Sequence, residues 1–137
     1  MANTNINNNL DNNINIRQYS PLALAYMGDS VFDLYVRDYL LKKANTSANK
    51  LHQASKSIVN AKSQSIMYYK LIEICTEEEV GVLKRGRNAK SNTKAKNASM
   101  AEYKNATGLE ALFGYLHLQN NISRLDELFI ICIECVK

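Results

Sequence analysis

The chain has 137 residues, and at this length we expect one domain with a substantial apolar core and not a multidomain enzyme. Hydrophobic residues make up 46% of the composition and charged residues 22%, with one proline and five glycines. These values are typical of a globular protein and exclude a collagen-like or wholly disordered chain. The formal net charge is +4, and the basic residues behind it are unevenly distributed along the chain.

The sequence indicates neither a membrane segment nor a disulfide framework. No apolar run reaches the roughly 18 to 20 residues of a membrane-spanning helix, and the N-terminus lacks the pattern of a secretory signal. The cysteines Cys75, Cys132 and Cys135 are an odd and sparse set, which suits a reducing compartment. Cys132 and Cys135 form a CxxC pattern among apolar residues, where packing is more typical than zinc binding or redox chemistry. We therefore expect a cytoplasmic protein that does not interact with membranes.

The N-terminus is rich in asparagine. Residues 1–16 contain eight asparagines and little that could pack in a core, and this composition predicts a disordered extension. The folded domain is therefore predicted to span residues 17–137.

A long first helix follows the extension. Ser20 is a helix N-cap and Pro21 stands at the first helical position, and apolar residues at three- and four-residue steps extend the helix to about Lys43. Gly28 within it costs about 1 kcal/mol relative to alanine. We expect another backbone or a bulky group to come close at Gly28.

The middle of the chain predicts two more helices and a loop. Apolar spacing favours one continuous helix from Leu51 to Ile72. A capping box at Thr76 then opens a shorter helix, which is predicted to end at residues 85–87 around a glycine. Residues 88–98 are rich in lysine and asparagine without apolar periodicity, so they are interpreted as a mobile basic loop.

The last third of the chain is also helical by pattern. A capping box at Ser99 opens a helix that is predicted to be interrupted at Gly108 and to continue through the apolar run 109–118. Asn120 and its neighbour end this helix, and 122–136 forms the final one. Because no segment shows the alternation of a strand, the predicted fold class is all-α.

The positive charge is concentrated in one segment. Between positions 84 and 104 lie seven basic residues and one acid, so this segment carries +6 and the rest of the chain −2. The basic residues are Lys84, Arg85, Arg87, Lys90, Lys94, Lys96 and Lys104. Such a segment is the electrostatic pattern expected for a polyanion, and nucleic acid is favoured over a membrane surface because no amphipathic basic helix accompanies it.

Two carboxylates are the candidates for chemistry. Asp29 follows a glycine in the first helix, with Asp33 one turn later on the same face, and Glu110 lies within an apolar stretch. Buried carboxylates are usually paired with cations or metals, so Asp29 and Glu110 are better explained together. Two carboxylates from facing helices can hold a hard divalent ion such as Mg²⁺, with water completing its shell. The alternative is that Glu110 bonds a lysine or a helix end and Asp29 is solvated.

Other catalytic chemistry has little support. The two histidines, His52 and His117, have no serine or cysteine nucleophile placed beside them by the sequence. The chain also contains no phosphate-binding loop, no dinucleotide fingerprint and no HExxH motif.

Two segments resemble the catalytic domain of the ribonuclease III family. Residues 21–36, which contain Met27-Gly28-Asp29-Ser30, resemble its Gly-Asp signature helix, and residues 106–116 resemble its distal catalytic helix. With the basic element 84–91 between them, they occur in the family's order, and the likeness spans about residues 18–135. It is closest to the short bacterial branch, the Mini-ribonucleases III, which lacks a separate double-stranded-RNA-binding domain.

The resemblance implies a Mg²⁺-dependent endoribonuclease that hydrolyses double-stranded RNA and leaves 5′-phosphate ends. Asp29 and Glu110 would be both catalytic and metal-holding. The expected RNA-binding residues are Arg85, Arg87, Lys90, Lys94 and Lys96. Similar enzymes are homodimers that mature the ends of the large-subunit (23S) ribosomal RNA precursor, with a ribosomal protein that presents the substrate as a further candidate partner.

The chain departs from full-length ribonuclease III at three acidic positions, where it has Leu22, Ala25 and Thr107. The short branch shares these losses, so the metal would have fewer protein ligands and more water, with Asp33 helping indirectly by holding the ligands in place. The competing function is a non-catalytic helical module that binds RNA or protein, in which the acids are structural.

Overall fold

The fold is all-α, as predicted, and the computed structural model describes residues 15–90 and 99–137. Within these ranges the helices are α1 (Pro21–Lys43), α2 (Ala48–Ile58), α3 (Ala61–Ile74), α4 (Glu77–Asn88), α5 (Met100–Leu118) and α6 (Ile122–Val136). A 3₁₀ turn at Ile16–Gln18 precedes α1. Of the helices in the described ranges, none is long and apolar enough to cross a membrane.

Helix α5 lies at the centre of the fold. Ten of its residues are buried, and it packs against α1, α4 and α3. A helix that is apolar on nearly every side must be surrounded by other helices. Phe113 of α5 meets Phe32 of α1 edge to face, with 5.2 Å between the ring centroids, and Phe129 of α6 also meets Phe32 edge to face, at 6.0 Å. The core is therefore built along α5.

The single helix predicted over residues 51–72 is wrong, because the structure has two helices with a break between them. Asn60 makes the break: its side-chain oxygen accepts the backbone N–H of Ser63, and its amide nitrogen donates to the carbonyl oxygen of Lys56, both at 2.8 Å. One side chain thus caps the start of α3 and holds the end of α2. Apolar spacing alone does not reveal such a break.

Neither Gly86 nor Gly108 ends or interrupts a helix, so both of those predictions are wrong. Helix α4 continues through Gly86 to Asn88, and α5 is continuous through Gly108. The two glycines face each other, since a Cβ added to Gly86 would lie 2.9 Å from the Gly108 Cα and 2.8 Å from the Ala111 Cβ. Close packing of α4 on α5 offsets the helix cost of these glycines, about 1 kcal/mol each.

The asparagine-rich extension stays a prediction. Residues 1–14 lie outside the described part of the chain, and so do residues 91–98 of the predicted basic loop. Ile16, at the end of the predicted extension, packs against the hydrophobic core. Among the described residues, contact with the core therefore extends one residue before the predicted domain boundary.

The CxxC segment packs in the core, as predicted. Cys132 is fully buried, and Cys135 donates its thiol to the carbonyl oxygen of Cys132 at 3.1 Å. Cys75 is half-buried, and all three thiols are free. Burial raises the pKa of Cys75 to about 12, which keeps this thiol unreactive at neutral pH.

A buried ion pair joins α4 to α6. Glu79 is 7% exposed and accepts two hydrogen bonds from the Arg124 guanidinium, each 2.8 Å long. Glu79 also closes the capping box by accepting the backbone N–H of Thr76 at 2.9 Å. The hydrogen bonds from Arg124 lower the pKa of Glu79 from 4.5 to about 2, in spite of the opposing effect of burial.

We expect Glu79→Gln to lower the free energy of unfolding at pH 7 by about 3 kcal/mol, because it removes the buried anionic partner of Arg124 and leaves only the exposed Glu127, 3.5 Å away. Since the folded pKa of Glu79 is depressed, its contribution is complete above about pH 4.5 and is lost as the pH falls towards 2. Urea unfolding at pH 7 and near pH 2.5 measures both effects, and the difference between parent and variant should shrink at the lower pH.

The matched control is Glu77→Gln, in the same helical turn but exposed, which should change the stability by less than about 0.5 kcal/mol. Equal unfolding free energies for the parent and Glu79→Gln at pH 7 would contradict the assignment.

Candidate active site

Helices α1 and α5 cross with their backbones in contact. A Cβ added to Gly28 would overlap the carbonyl oxygen of Glu110 and lie 2.8 Å from the backbone nitrogen of Gly114. A Cβ on Gly114 would in turn overlap the carbonyl oxygen of Leu24. The close approach predicted at Gly28 is confirmed, and the other side of the contact is also a glycine.

This crossing places Asp29 beside Glu110. Asp29 is exposed on α1, whereas Glu110 on α5 is partly buried. Burial, followed by the nearby charge of Asp29 and a hydrogen bond with it, raises the pKa of Glu110 from 4.5 to about 8. The structure thus brings together the two carboxylates that the sequence singled out.

Gln64 is a third member of the site, and the sequence analysis missed it. Its side chain is 4% exposed and donates from Nε2 to Glu110 Oε2 at 3.4 Å. The break at Asn60 places Gln64 in the first turn of α3, facing α5. The only available signal was an asparagine three residues before a serine in an otherwise helical pattern, which is compatible with an N-cap.

Asp33 points to a different partner. It forms an ion pair with Arg37 one turn later, with 2.9 Å between Oδ2 and Nε. Within the described residues it makes no hydrogen bond to Asp29 or Glu110, so the structure does not join it to the pair.

The carboxylate pair suits a hard divalent cation. Two adjacent carboxylates repel each other when both are ionised, which contributes to the raised pKa of Glu110, and a divalent cation between them would relieve that repulsion. Oxygen donors are the ligands that Mg²⁺ prefers, and it commonly keeps several waters. Because the described residues contain no group of three or more metal-ligating side chains, water would fill much of the coordination shell.

The predicted RNA-binding residues do not lie on one face. Arg85 lines a pocket with Arg17, Glu78 and Tyr115, whereas Arg87, two positions later, borders α3 and α5. Residues two apart on a helix point to nearly opposite sides, so Arg85 and Arg87 belong to separate surfaces. Lys90 is exposed after the end of α4. Lys94 and Lys96 lie outside the described residues.

A second basic stretch lies outside the segment 84–104, and its lysines are spread over three helices. Residues 39–72 contain six basic residues and no acid, so they carry +6, and the chain outside both basic stretches carries −8. The six residues are all exposed: Lys42, Lys43, Lys50, Lys56, Lys62 and Lys70. The interpretation that one segment supplies the positive field is therefore wrong. Lys62 stands in the first turn of α3, which also carries Gln64.

Comparison with known proteins gives consistent matches. The family model of the ribonuclease III domain matches residues 22–121. The Mini-ribonuclease 3 of Enterococcus faecalis is 47% identical over 122 residues, covering 88% of this chain and 92% of that protein. The Mini-ribonuclease 3 of Staphylococcus aureus is 47% identical over 125 residues, covering 90% and 92%. A crystal structure of a protein from Fusobacterium nucleatum is similar with a TM-score of 0.79 and 36% identity, over 87% of this chain and 95% of that one.

Proposed function

The chain belongs to the ribonuclease III family and groups with its Mini-ribonuclease 3 members, so it is an endoribonuclease, and we propose that it hydrolyses double-stranded RNA at Asp29 and Glu110 with Mg²⁺ as cofactor. The observation that supports this site most is the pairing of two carboxylates from α1 and α5 where the backbones of these helices touch. A non-catalytic binding module is no longer a good explanation for a member of this family.

In the proposed mechanism, the side chains of this protein hold the cation and orient the carboxylates that bind it. Asp29 and Glu110 would hold the cation through their oxygens, and Gln64 would restrict the carboxylate of Glu110 by its hydrogen bond. When bound, Mg²⁺ supplies activation of the attacking water and neutralisation of charge developing on the scissile phosphate. Asp29 is exposed, so the RNA backbone can reach the pair from solvent. Hydrolysis leaves a 5′-phosphate and a 3′-hydroxyl end.

The proposed RNA surface combines residues from the two basic stretches. A-form RNA is recognised mainly through its shape, its phosphates and its 2′-hydroxyls, which suits spread-out lysines and arginines. The surface includes Arg87 and Lys90 of the first stretch and Lys62 of the second, which stands in the same turn of α3 as Gln64. Arg85, Lys94 and Lys96 remain part of the proposal as further phosphate contacts.

The proposed natural substrate is the precursor of large-subunit (23S) ribosomal RNA, and a ribosomal protein that presents it is the candidate accessory partner. Both rest on the resemblance to the short branch of the family. A cytoplasmic location belongs to the same proposal, and three free cysteines suit a reducing compartment.

The test is cleavage of a duplex RNA with a labelled 5′ end. We expect Mg²⁺-dependent cuts in the duplex, none after chelation with EDTA, and full recovery when Mg²⁺ is added back. The matched control is one strand of the same RNA alone, which should be cut far more slowly. Equal cleavage in the presence and absence of divalent cations would overturn the metal assignment, and equal cleavage of the single strand would overturn the duplex assignment.

A homodimer is the proposed assembly, because two strands of a duplex must be cut and a two-fold protein axis can match that of the duplex. The face of α1 that carries Asp29 supports it. Tyr26, three residues before Asp29, is 81% exposed, and Leu22 is exposed one turn earlier beside the exposed Met100 of α5. An exposed apolar patch next to the carboxylates suits a contact with a second copy of the chain.

We expect the parent chain to sediment as a dimer at micromolar concentration without RNA, and Tyr26→Glu to shift it to a monomer, because the charge would be desolvated in an apolar contact. The matched control is Ile130→Glu, which alters a similarly exposed apolar residue on α6 and should leave the dimer intact. Sedimentation velocity distinguishes the two states. A monomeric parent in an active preparation would overturn the dimer proposal.

A further inference from the structure

Buried polar side chains are few in the described residues, and three of the four lie in one place. Gln64 and Ser65 near the start of α3 and Asn105 of α5 are buried, as is Glu79 elsewhere. Glu79 is accounted for by its ion pair with α6. Burying a polar side chain costs free energy unless its hydrogen bonds are made, so a cluster of three in an apolar core calls for an explanation.

Asn105 connects this cluster to Arg87. Its side chain is 1% exposed, its Nδ2 donates to Ser65 Oγ at 2.9 Å, and its Oδ1 accepts from Arg87 Nε at 2.8 Å. A guanidinium can only donate hydrogen bonds, so the oxygen of Asn105 must face Arg87 and the nitrogen must face Ser65. Ser65 therefore fixes the amide, and the amide fixes the guanidinium.

The guanidinium borders a groove between α3 and α4. The groove is lined by Tyr68, Tyr69, Ile72, Lys84, Arg87 and Asn88, and both of its charged residues are basic. Besides Asn105, Arg87 donates to Asn88 Oδ1 at 3.2 Å. Both of these acceptors are neutral amide oxygens, so they orient the guanidinium without neutralising its charge. An oriented, charged guanidinium matches the geometry of a phosphate group.

We propose that Asn105 is a positioning residue, which holds the Arg87 guanidinium in the groove between α3 and α4 so that it binds a phosphate of the duplex RNA. The inference rests on the proposed function and adds to it the residue that prepares the contact. The same turn of α3 serves the carboxylate pair, because Gln64 donates to Glu110 and the next residue, Ser65, accepts from Asn105. The phosphate contact and the carboxylate are thereby anchored to one rigid turn.

The physical gain is a lower entropic cost of binding. A free arginine side chain loses rotamer entropy when it is fixed, and a buried amide that holds Nε removes part of this loss before RNA arrives. Losing Asn105 should therefore weaken binding roughly ten-fold, as loss of Arg87 itself should.

The experiment is a double-mutant cycle on the Asp29→Asn background, so that the substrate survives. Dissociation constants for a duplex RNA are measured against salt concentration for Arg87→Ala, Asn105→Leu and the double variant, with thermal unfolding of each. We expect each single variant to bind about ten-fold more weakly and to flatten the slope of log affinity against log salt by about one. The double variant should bind no more weakly than Arg87→Ala, because Asn105 acts through Arg87.

A merely structural Asn105 would give a different result. The affinity lost by the double variant would then be the product of the losses of the two single variants, or Asn105→Leu would leave the slope of log affinity against log salt at the parent value. Either result overturns the inference. If Asn105→Leu does not fold, the duplex affinity of Arg87→Lys tests the inference instead, since lysine keeps the charge but cannot reproduce the guanidinium Nε–H bond to Asn105. We expect it to lose most of the affinity that Arg87→Ala loses, and parent-like affinity would overturn the inference.

The experiments distinguish a failure of the proposed function from a failure of this inference alone. A parent chain that does not cleave duplex RNA overturns the proposed function and this inference with it. A parent that cleaves, with independent effects at Arg87 and Asn105, overturns the inference alone.

Discussion

Replacing Asp29 by asparagine is expected to reduce the cleavage rate of duplex RNA by at least about 10³-fold, while folding and duplex binding stay close to those of the parent. The substitution removes one charge at nearly constant volume from an exposed position, so the packing of α1 on α5 is unaffected. Single-turnover cleavage with Mg²⁺ measures the loss, and duplex affinity together with thermal unfolding shows that the site and not the fold has changed.

Glu110→Gln should have a similar effect, and the double variant should be no slower than either single one, because groups that act as a unit are not additive. The matched control is Asp38→Asn, an exposed carboxylate on the same helix that pairs with Lys42 and should leave the rate near that of the parent. Near-normal turnover by Asp29→Asn in Mg²⁺ would exclude the proposed site, whatever the effect on binding.

Gly28→Ala is expected to destabilise the protein by about 3 kcal/mol or more and to abolish cleavage. The added methyl group would overlap the carbonyl oxygen of Glu110, and a backbone atom in the middle of a buried helix cannot move aside as a flexible side chain can. Helices α1 and α5 would have to separate, which moves Asp29 away from Glu110. Urea unfolding and the cleavage assay measure the two effects.

The matched control is Gly81→Ala on α4. A Cβ there would meet only the flexible side chain of Arg85, at 3.2 Å, and alanine favours a helix over glycine by about 1 kcal/mol. Gly81→Ala should therefore be neutral or slightly stabilising. A Gly28→Ala protein with the stability of the parent would show that the two helices do not need backbone contact.

The dependence of the site on this crossing also explains why Gln64 matters. It is held in the first turn of α3, packed against α5, so its hydrogen bond to Glu110 has the same supporting helix as the crossing itself.

The sequence by itself determined the helical class and where most helices begin. Ser20, Thr76 and Ser99 were identified as helix starts, and the structure has each of them as an N-cap. Capping is local chemistry, completed by backbone N–H groups within the next three residues, so a short window of sequence contains all of it. Asp29 and Glu110 were selected from the sequence as well, because a carboxylate in an apolar helix stands out and the flanking residues resemble a known family.

Only the tertiary structure decided what the glycines do and which polar side chains are buried. A glycine in a helical pattern is compatible both with a helix end and with close contact between two helices, so Gly86 and Gly108 could not be recognised as contact points from local patterns. Burial of Asn105 likewise depends on what α3 and α4 place around it, and those neighbours lie 18 and 40 residues away in sequence. Such partners are chosen by the packing of whole helices, and that is why the positioning of Arg87 became visible only in the folded chain.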